Sequence, residues 1–356
     1  MGALMPKYRA PGRVNLIGDH TDYNEGFVLP LALDLACIVD ARPTEDGRIR
    51  LRSEDVPGEV DLAADGRDLA SSEGWGRYAA GVAKVLSQRG REPVGLEGTV
   101  SSSVPVGAGL SSSAALEVAL ALALCDAAGF EPETLELARA CQEAEQVATG
   151  VPCGIMDQLA SLAGRRDHAL LLDCRSLETT PIRLPPGLAV VVVHSGVARA
   201  LAGSAYAERR AACEAVAARL GLRSLRDATP AQVADEPRAR HVVSENARVL
   251  AAADALARGE LDALGPLLSA SHASLRDDFE VSTPELDALV RALEEAGALG
   301  ARLTGAGFGG CAVALARAAE AEQVAAAACG TYATSTGREP QSWICAAADG
   351  AGKIDS

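Results

Sequence analysis

Lysine is nearly missing from this chain: Lys7, Lys84 and Lys353 are the only three in 356 residues. That scarcity argues against a lysine clamp on phosphate, and a cationic grip on an anion then falls to arginine. No GxxxxGK[ST] phosphate loop is present either. Basic charge as a whole is outweighed, with 33 Lys and Arg against 48 Asp and Glu, a net charge of −15. That balance argues against nucleic acid and anionic membrane as partners. No apolar run reaches membrane-spanning length without interruption, and residues 188–193 read as a short buried strand. The nine cysteines (37, 125, 141, 153, 174, 213, 311, 329 and 345) include no CxxC and have no histidine at metal-ligand spacing. They read as buried free thiols, and with no signal peptide the expected compartment is a reducing cytoplasm.

What is present reads as a folded, soluble protein: 48% hydrophobic and 23% charged residues, in a length that accommodates one or two domains. The stretch that organises the rest is 104–124, VPVGAGLSSSAALEVALALAL. Pro105, Gly107 and Gly109 keep the backbone open, Ser111, Ser112 and Ser113 are placed as N-cap hydroxyls, and an Ala/Leu-rich helix follows until Gly129. A loop without side chains at two positions, feeding the positive end of a helix, gathers N–H groups into one small volume. That is an anion site, and phosphate is the usual anion.

A second polar concentration lies at 10–30, APGRVNLIGDHTDYNEGFVLP, where Asp19, His20, Thr21, Asp22 and Tyr23 arrive together after a short strand. Carboxylates and an imidazole at one strand end suit a polyol, whose hydroxyls need both donors and acceptors. Residues 38–62 alternate as β-structure with turns at 45–47 and 57–58. GWGRYAAGVAKVL has the spacing of an amphipathic helix starting near Gly74, and 133–149 is a further helix ending at Gly150. In VPCGIMDQLAS, Asp157 stands in an otherwise apolar segment, so a buried carboxylate there requires a cationic partner. Residues 173–186, with Pro181, Pro185 and Pro186, read as the domain boundary, and 188–194 opens the second domain. Residues 211–300 read as Ala/Leu/Arg/Glu-rich helices with turns at Pro230, Pro237 and Pro266, in which His272 is a satisfied structural histidine. RLTGAGFGGCAVAL at 302–315 is a third motif, a Gly-rich loop before an apolar strand, expected to fold back and close the site near the polyol and the phosphates. The tail from Asp349 reads as frayed.

The run from Arg13 to Asn24, RVNLIGDHTDYN, closely resembles the signature of the galactokinase family. GAGLSSSAA at 107–115 resembles the phosphate loop of the wider superfamily of galacto-, homoserine, mevalonate and phosphomevalonate (GHMP) kinases. The resemblance implies an α+β, two-lobed GHMP-kinase-like fold, with lobes at 1–180 and 181–356 and the active site in the cleft between them. It implies transfer of the γ-phosphoryl of ATP to the anomeric hydroxyl of D-galactose, giving α-D-galactose 1-phosphate, the first step of galactose use through that phosphate. The implied partners are small molecules, galactose and ATP with Mg²⁺, handled by a monomer or weak homodimer.

Residue by residue, the resemblance gives Arg13 and Asp157 as the catalytic pair, in which the guanidinium holds the carboxylate in its charged form. Asp19, His20, Asp22, Gly154 and Tyr206 are implied at the sugar. Gly107, Ala108, Gly109, Leu110, Ser111, Ser112 and Ser113 are implied at the ATP phosphates, with Trp75, Ser53 and Tyr78 bordering the adenine. Ser113 and Glu145 are implied as Mg²⁺ ligands. One residue departs from the family pattern: Asp19 stands where Glu is usual, at the sugar's C6 hydroxyl. A carboxylate shorter by about one C–C bond, roughly 1.5 Å, predicts looser selection at C6. L-arabinose, which lacks C6, is an alternative substrate. An N-acetylgalactosamine kinase is disfavoured by the HTDYN sequence. A non-catalytic galactose and ATP sensor is disfavoured by the intact Ser113-Ala114-Ala115.

Overall fold

The computed structural model describes residues 6–197 and 202–354, with side chains from Ala205 onward in the second stretch. The first part of the chain contains β1 (Lys7–Asn15), β2 (Phe27–Val28), β3 (Pro30–Thr44), β4 (Arg48–Ser53), β5 (Glu59–Ala63), α1 (Gly76–Gln88) and β6 (Gly95–Ser102). The helices α2 (Ser112–Ala128), α3 (Thr134–Thr149) and α4 (Met156–Ala163) follow. Strands β1, β3, β6, β4 and β5 lie side by side in one sheet, antiparallel except for the β4–β6 pair.

Helix α2 is apolar on every side, which a helix can be only when covered all round. It packs on β1 and β3 below and against α1, α3 and α4 around it. Glu117 is the exception among its covered side chains, a carboxyl with no solvent exposure.

The second part runs β7 (His168–Asp173), β8 (Thr179–Arg183), β9 (Leu188–His194), α5 (Ala202–Arg219), α6 (Pro237–Arg258), α7 (Leu261–Asp277) and α8 (Pro284–Glu295). It ends with β10 (Gly300–Thr304), β11 (Cys311–Arg317), α9 (Ala321–Thr336), β12 (Gln341–Cys345) and β13 (Gly352–Ile354). A four-stranded antiparallel sheet has the order β10-β11-β9-β12. Along β9 the valines alternate between its faces. Val191 and Val193 meet α8 and α9, while Val190 and Val192 join the main core.

Four details differ from the sequence reading. Pro230 and Pro237 open helical segments at their first turns, where a missing N–H costs nothing, and do not mark free turns. Pro266 lies inside α7, removing one backbone donor without ending the helix. Within 173–186, β8 pairs with β7, whose other neighbour is β2. The tail is held: β13 pairs with β1, and Lys353 Nζ lies 2.9 Å from Asp126 Oδ2.

Candidate active site

Strand β1 carries a register irregularity between Pro11 and Arg13, and such a bulge re-aims the next side chain. Gly12 lets the strand approach the 104–111 loop, since a Cβ there would stand 2.6 Å from the Leu110 carbonyl oxygen. Arg13 Nε and Nη2 donate to Asp157 Oδ1 and Oδ2, each at 2.8 Å, and Nη1 donates to the Gly109 carbonyl at 2.8 Å. Asp157 occupies the first turn of α4, where the helix dipole favours negative charge. Ser111 Oγ adds a third donor to this carboxylate, 2.5 Å from Oδ2. The pairing expected of Arg13 and Asp157 is present, and its planar, two-pronged form is the strong one.

Ser111 differs from the sequence reading. It stands at the N-cap of α2 in left-handed backbone conformation (φ 58°) and makes no capping bond. Its hydroxyl goes to Asp157, and the Ser113 hydroxyl donates to Glu145 Oε1 at 2.8 Å. The hydroxyls are thus spent on carboxylates, and Ser111 leaves the first N–H groups of α2 without a side-chain cap, the kind of helix end that suits an anion. Ala108 and Leu110 are buried and line neither of the cavities here: the Ala108 N–H turns to the Pro105 carbonyl at 3.5 Å, and the Leu110 carbonyl accepts the Arg13 N–H at 3.1 Å.

Glu145 projects from α3, with Oε2 accepting from Gln158 Nε2 at 2.6 Å. Burial, then the nearby Asp157 charge, raise its pKa, against the hydrogen bonds from Ser113 and Gln158. A hard divalent cation would relieve that. One carboxylate and one hydroxyl are an all-oxygen donor pair that leaves positions for phosphate oxygens and water, as Mg²⁺ requires. The residues fit the ion.

Two cavities open here. The first, about 490 Å³, is lined by Gly107, Gly109, Ser111 to Ser113, Trp75, Tyr78 and Ser53, together with Arg13, Glu145 and Asp157. The second, about 340 Å³, is lined by Asp19, His20, Asp22, Gly154, Tyr206 and Gly305, again with Arg13, Tyr78, Glu145 and Asp157. The N-terminal polar cluster and the mid-chain carboxylate therefore meet. None of the three lysines lines either cavity.

The second cavity is built from committed groups. His20 is buried in left-handed conformation (φ 66°), with Nε2 3.2 Å from the Ala306 carbonyl and Nδ1 2.8 Å from the Tyr23 hydroxyl. A carbonyl can only accept, so Nε2 carries the proton and Nδ1 accepts from Tyr23. Burial, followed by the nearby His241, drives the pKa of His20 down to about 3, so it is neutral. It stacks against Phe279, ring centroids 4.6 Å apart, and forms a fixed wall. Asp22 is pushed up to about 6 by burial and then by the Asp157 charge. Gly154 lacks a side chain because of Asp22: a Cβ there would fall 1.8 Å from Asp22 Oδ2. Tyr206, from α5, meets Tyr23 edge-on at 5.3 Å. The Asp19 carboxylate is gripped from behind, by Arg302 Nη2 at 2.6 Å on Oδ2 and by the Gly305 N–H at 3.1 Å on Oδ1.

The Gly-rich loop of the third motif touches this cavity through Gly305 and Ala306, and none of the residues lining the first cavity comes from it. The expectation that it reaches the phosphates is not met; it closes the polyol side. His272 lines neither cavity; it receives the Leu303 N–H at 3.4 Å and faces Asp287 at 3.2 Å. Sequence reasoning missed Gln158 and Arg302, both fully buried. Gln158 follows Asp157 directly and Arg302 opens the third motif, so adjacency to motif residues was the available signal. Asp55 and Val56 also line the first cavity, with no sequence signal beyond their proximity to Ser53.

A nucleotide-sized cavity at a helix N-terminus, joined to a polyol-sized one at an Arg–carboxylate pair, is the site of a small-molecule kinase, and the fold is that of the GHMP kinases. The GHMP kinases N terminal domain matches residues 77–165 and the GHMP kinases C terminal family matches 252–334. The galactokinase galactose-binding signature matches 7–43. The chain is 46% identical over 361 residues to a galactokinase of Roseiflexus sp. (strain RS-1), covering 97% of this chain and 92% of that one. Among solved structures, Lactococcus lactis galactokinase complexed with galactose superposes with a TM-score of 0.92 at 35% identity, covering 98% and 95% of the two chains. Methanococcus jannaschii mevalonate kinase, at 19% identity and a TM-score of 0.72 over 98% and 99%, shares the fold. The chain belongs to the galactokinase family.

Proposed function

We propose that this protein transfers the γ-phosphoryl group of ATP to the anomeric hydroxyl of D-galactose, giving α-D-galactose 1-phosphate, the entry step for galactose use through that phosphate. The observation that carries the reading is the sharing of Arg13 and Asp157 by the two cavities. ATP lies in the first, its phosphates on the N–H groups of residues 107–113 and its adenine beside Trp75, Tyr78 and Ser53. Galactose lies in the second, among Asp19, His20, Asp22, Gly154 and Tyr206. Ser113 and Glu145 would hold Mg²⁺, which when bound would supply charge neutralisation at the phosphates. Residues 1–180 supply most of both sites and 181–356 close the sugar side.

Phosphoryl transfer has a loose transition state, so positioning and charge carry most of the catalysis. Arg13 stabilises charge on the transferring group. Asp157, held in place by three hydrogen bonds, orients the C1 hydroxyl and accepts its proton late, since a loose transition state leaves that proton in place until the new bond forms. The protein works in a reducing cytoplasm, as a monomer or weak homodimer. Free thiols suit that compartment, and no helix among the described residues is long and apolar enough to cross a membrane.

A sugar panel assayed by coupled ADP release tests the assignment. Galactose is expected to give the highest kcat/KM. Asp19→Glu is expected to sharpen discrimination against analogues altered at C6, L-arabinose included. Equal selectivity in the two proteins would remove Asp19 from C6 recognition, and no turnover with galactose would overturn the function.

A further inference from the structure

The region from 211 to 300 carries no recognisable motif, yet one of its helices is fitted to the loop that surrounds the sugar cavity. Helix α6 meets residues 18–27 at both ends. Glu245, fully buried, accepts the Gly18 N–H at 3.0 Å through Oε1. His241, one turn earlier, lies with Nε2 3.1 Å from the Asp19 carbonyl. Asn246 accepts the Phe27 N–H at 2.8 Å.

The two glycines that bound the loop are shaped to the same helix. A Cβ on Gly18 would stand 2.8 Å from Val249, and one on Gly26 would stand 2.4 Å from Asn246 Oδ1. Gly18 also has a φ of +107°, a conformation that L side chains rarely adopt. Glu245 is itself anchored, by the Ser271 hydroxyl at 2.5 Å on Oε1 and by Arg248 Nε at 2.6 Å on Oε2. Burial opposes a charge at Glu245, but His241, Arg302 and Arg248 outweigh it, and its pKa falls below the ordinary value. A buried carboxylate that Ser271 and Arg248 hold in place, and that reaches a backbone N–H of the ligand loop, is an expensive device for holding a helix alone. It is well suited to fixing where Asp19 and His20 stand.

We infer that Glu245, with Asn246, is a positioning residue for sugar recognition: α6 sets the loop of residues 18–27 and thereby the geometry of the galactose cavity, without touching the sugar. The inference rests on the sugar-kinase reading above. It separates the two substrates, because α6 contributes no residue to the lining of either cavity and contacts the loop on the sugar side.

The test uses the full chain and pairs calorimetric titration of galactose, without nucleotide, with steady-state kinetics in both substrates. Glu245→Ala is expected to weaken galactose binding and raise its KM about tenfold or more, leaving the KM for ATP within about twofold. Glu245→Gln, which keeps an acceptor for the Gly18 N–H, is expected to recover most of the loss. A lowered kcat or melting temperature with galactose KM unchanged, or equal weakening of both substrates, would overturn the inference. Should Glu245→Ala not fold, Asn246→Ala carries the test, with a smaller rise in galactose KM expected and an unchanged value contradicting it. A wild-type protein that binds no galactose would instead undo the sugar-kinase reading, and this inference with it.

Discussion

At the scale of single residues, the site works by giving each polar group one task. Asp157 receives Arg13 on both oxygens and Ser111 on one. His20 has both ring nitrogens engaged, so it shapes the cavity and leaves hydrogen bonding to its neighbours. Gly154 is tied to Asp22 rather than to a turn: it has no positive φ, and any side chain would collide with the Asp22 carboxylate. Gly154→Ala should therefore rotate Asp22 away and raise the galactose KM about tenfold, with the ATP KM nearly unchanged, as steady-state kinetics would reveal. Asp22 also gives a signed pH effect. Its folded pKa of about 6 lies above its ordinary value of 3.8, so the folded state holds this proton more tightly. The stability it contributes is present at low pH and is lost as pH rises through about 4 to 6. In sugar-free protein, Asp22→Asn should gain thermal stability over wild type at pH 7 and lose that advantage at pH 4; thermal melts at the two values check it.

At the scale of elements, α2, α3 and α4 bring Ser113, Glu145 and Asp157 together because their termini and faces converge. Ser113 on α2 meets Glu145 on α3, and Gln158 on α4 steadies the other Glu145 oxygen. Glu145→Gln keeps the size and removes the charge. It is expected to raise the Mg²⁺ concentration needed for half-maximal rate several-fold and to abolish the Mg²⁺-dependent gain in ATP affinity measured by titration. Unchanged Mg²⁺ dependence would take Glu145 out of metal binding. The elements also mark what could be read beforehand. The apolar run after Ser113, the valine strand 188–193 and the two glycine-rich loops were legible, because periodicity and backbone freedom are local properties. The serine hydroxyls were misjudged because their partners, Asp157 and Glu145, lie on other elements. Helix α6 was silent for the same reason: His241, Glu245 and Asn246 look like ordinary polar helix positions until residues 18–27 are laid against them. Pro266 and the tail misled because one missing N–H and three paired residues leave no clear local signature.

At the scale of the whole molecule, the site depends on parts of the chain far apart in sequence. Arg13 and Asp157 are 144 residues apart, and Asp19 is held by Arg302 and Gly305 from near the end. The last strand returns to the first, so both ends of the chain share the sheet that carries Arg13. With a net charge of −15 on the chain, a polyanionic nucleotide would have to be held by local groups such as a helix terminus and Arg13, against the overall field. The account turns on the chemistry at the meeting point of the two cavities. Its most direct test is phosphorus NMR of the product formed from galactose and ATP, run for wild type and Asp157→Asn, with galactose binding measured in both. The expected result is phosphate on C1 with wild type and no product with the variant, although the variant still binds galactose. Phosphate on another hydroxyl, or wild-type turnover by Asp157→Asn, would contradict the account.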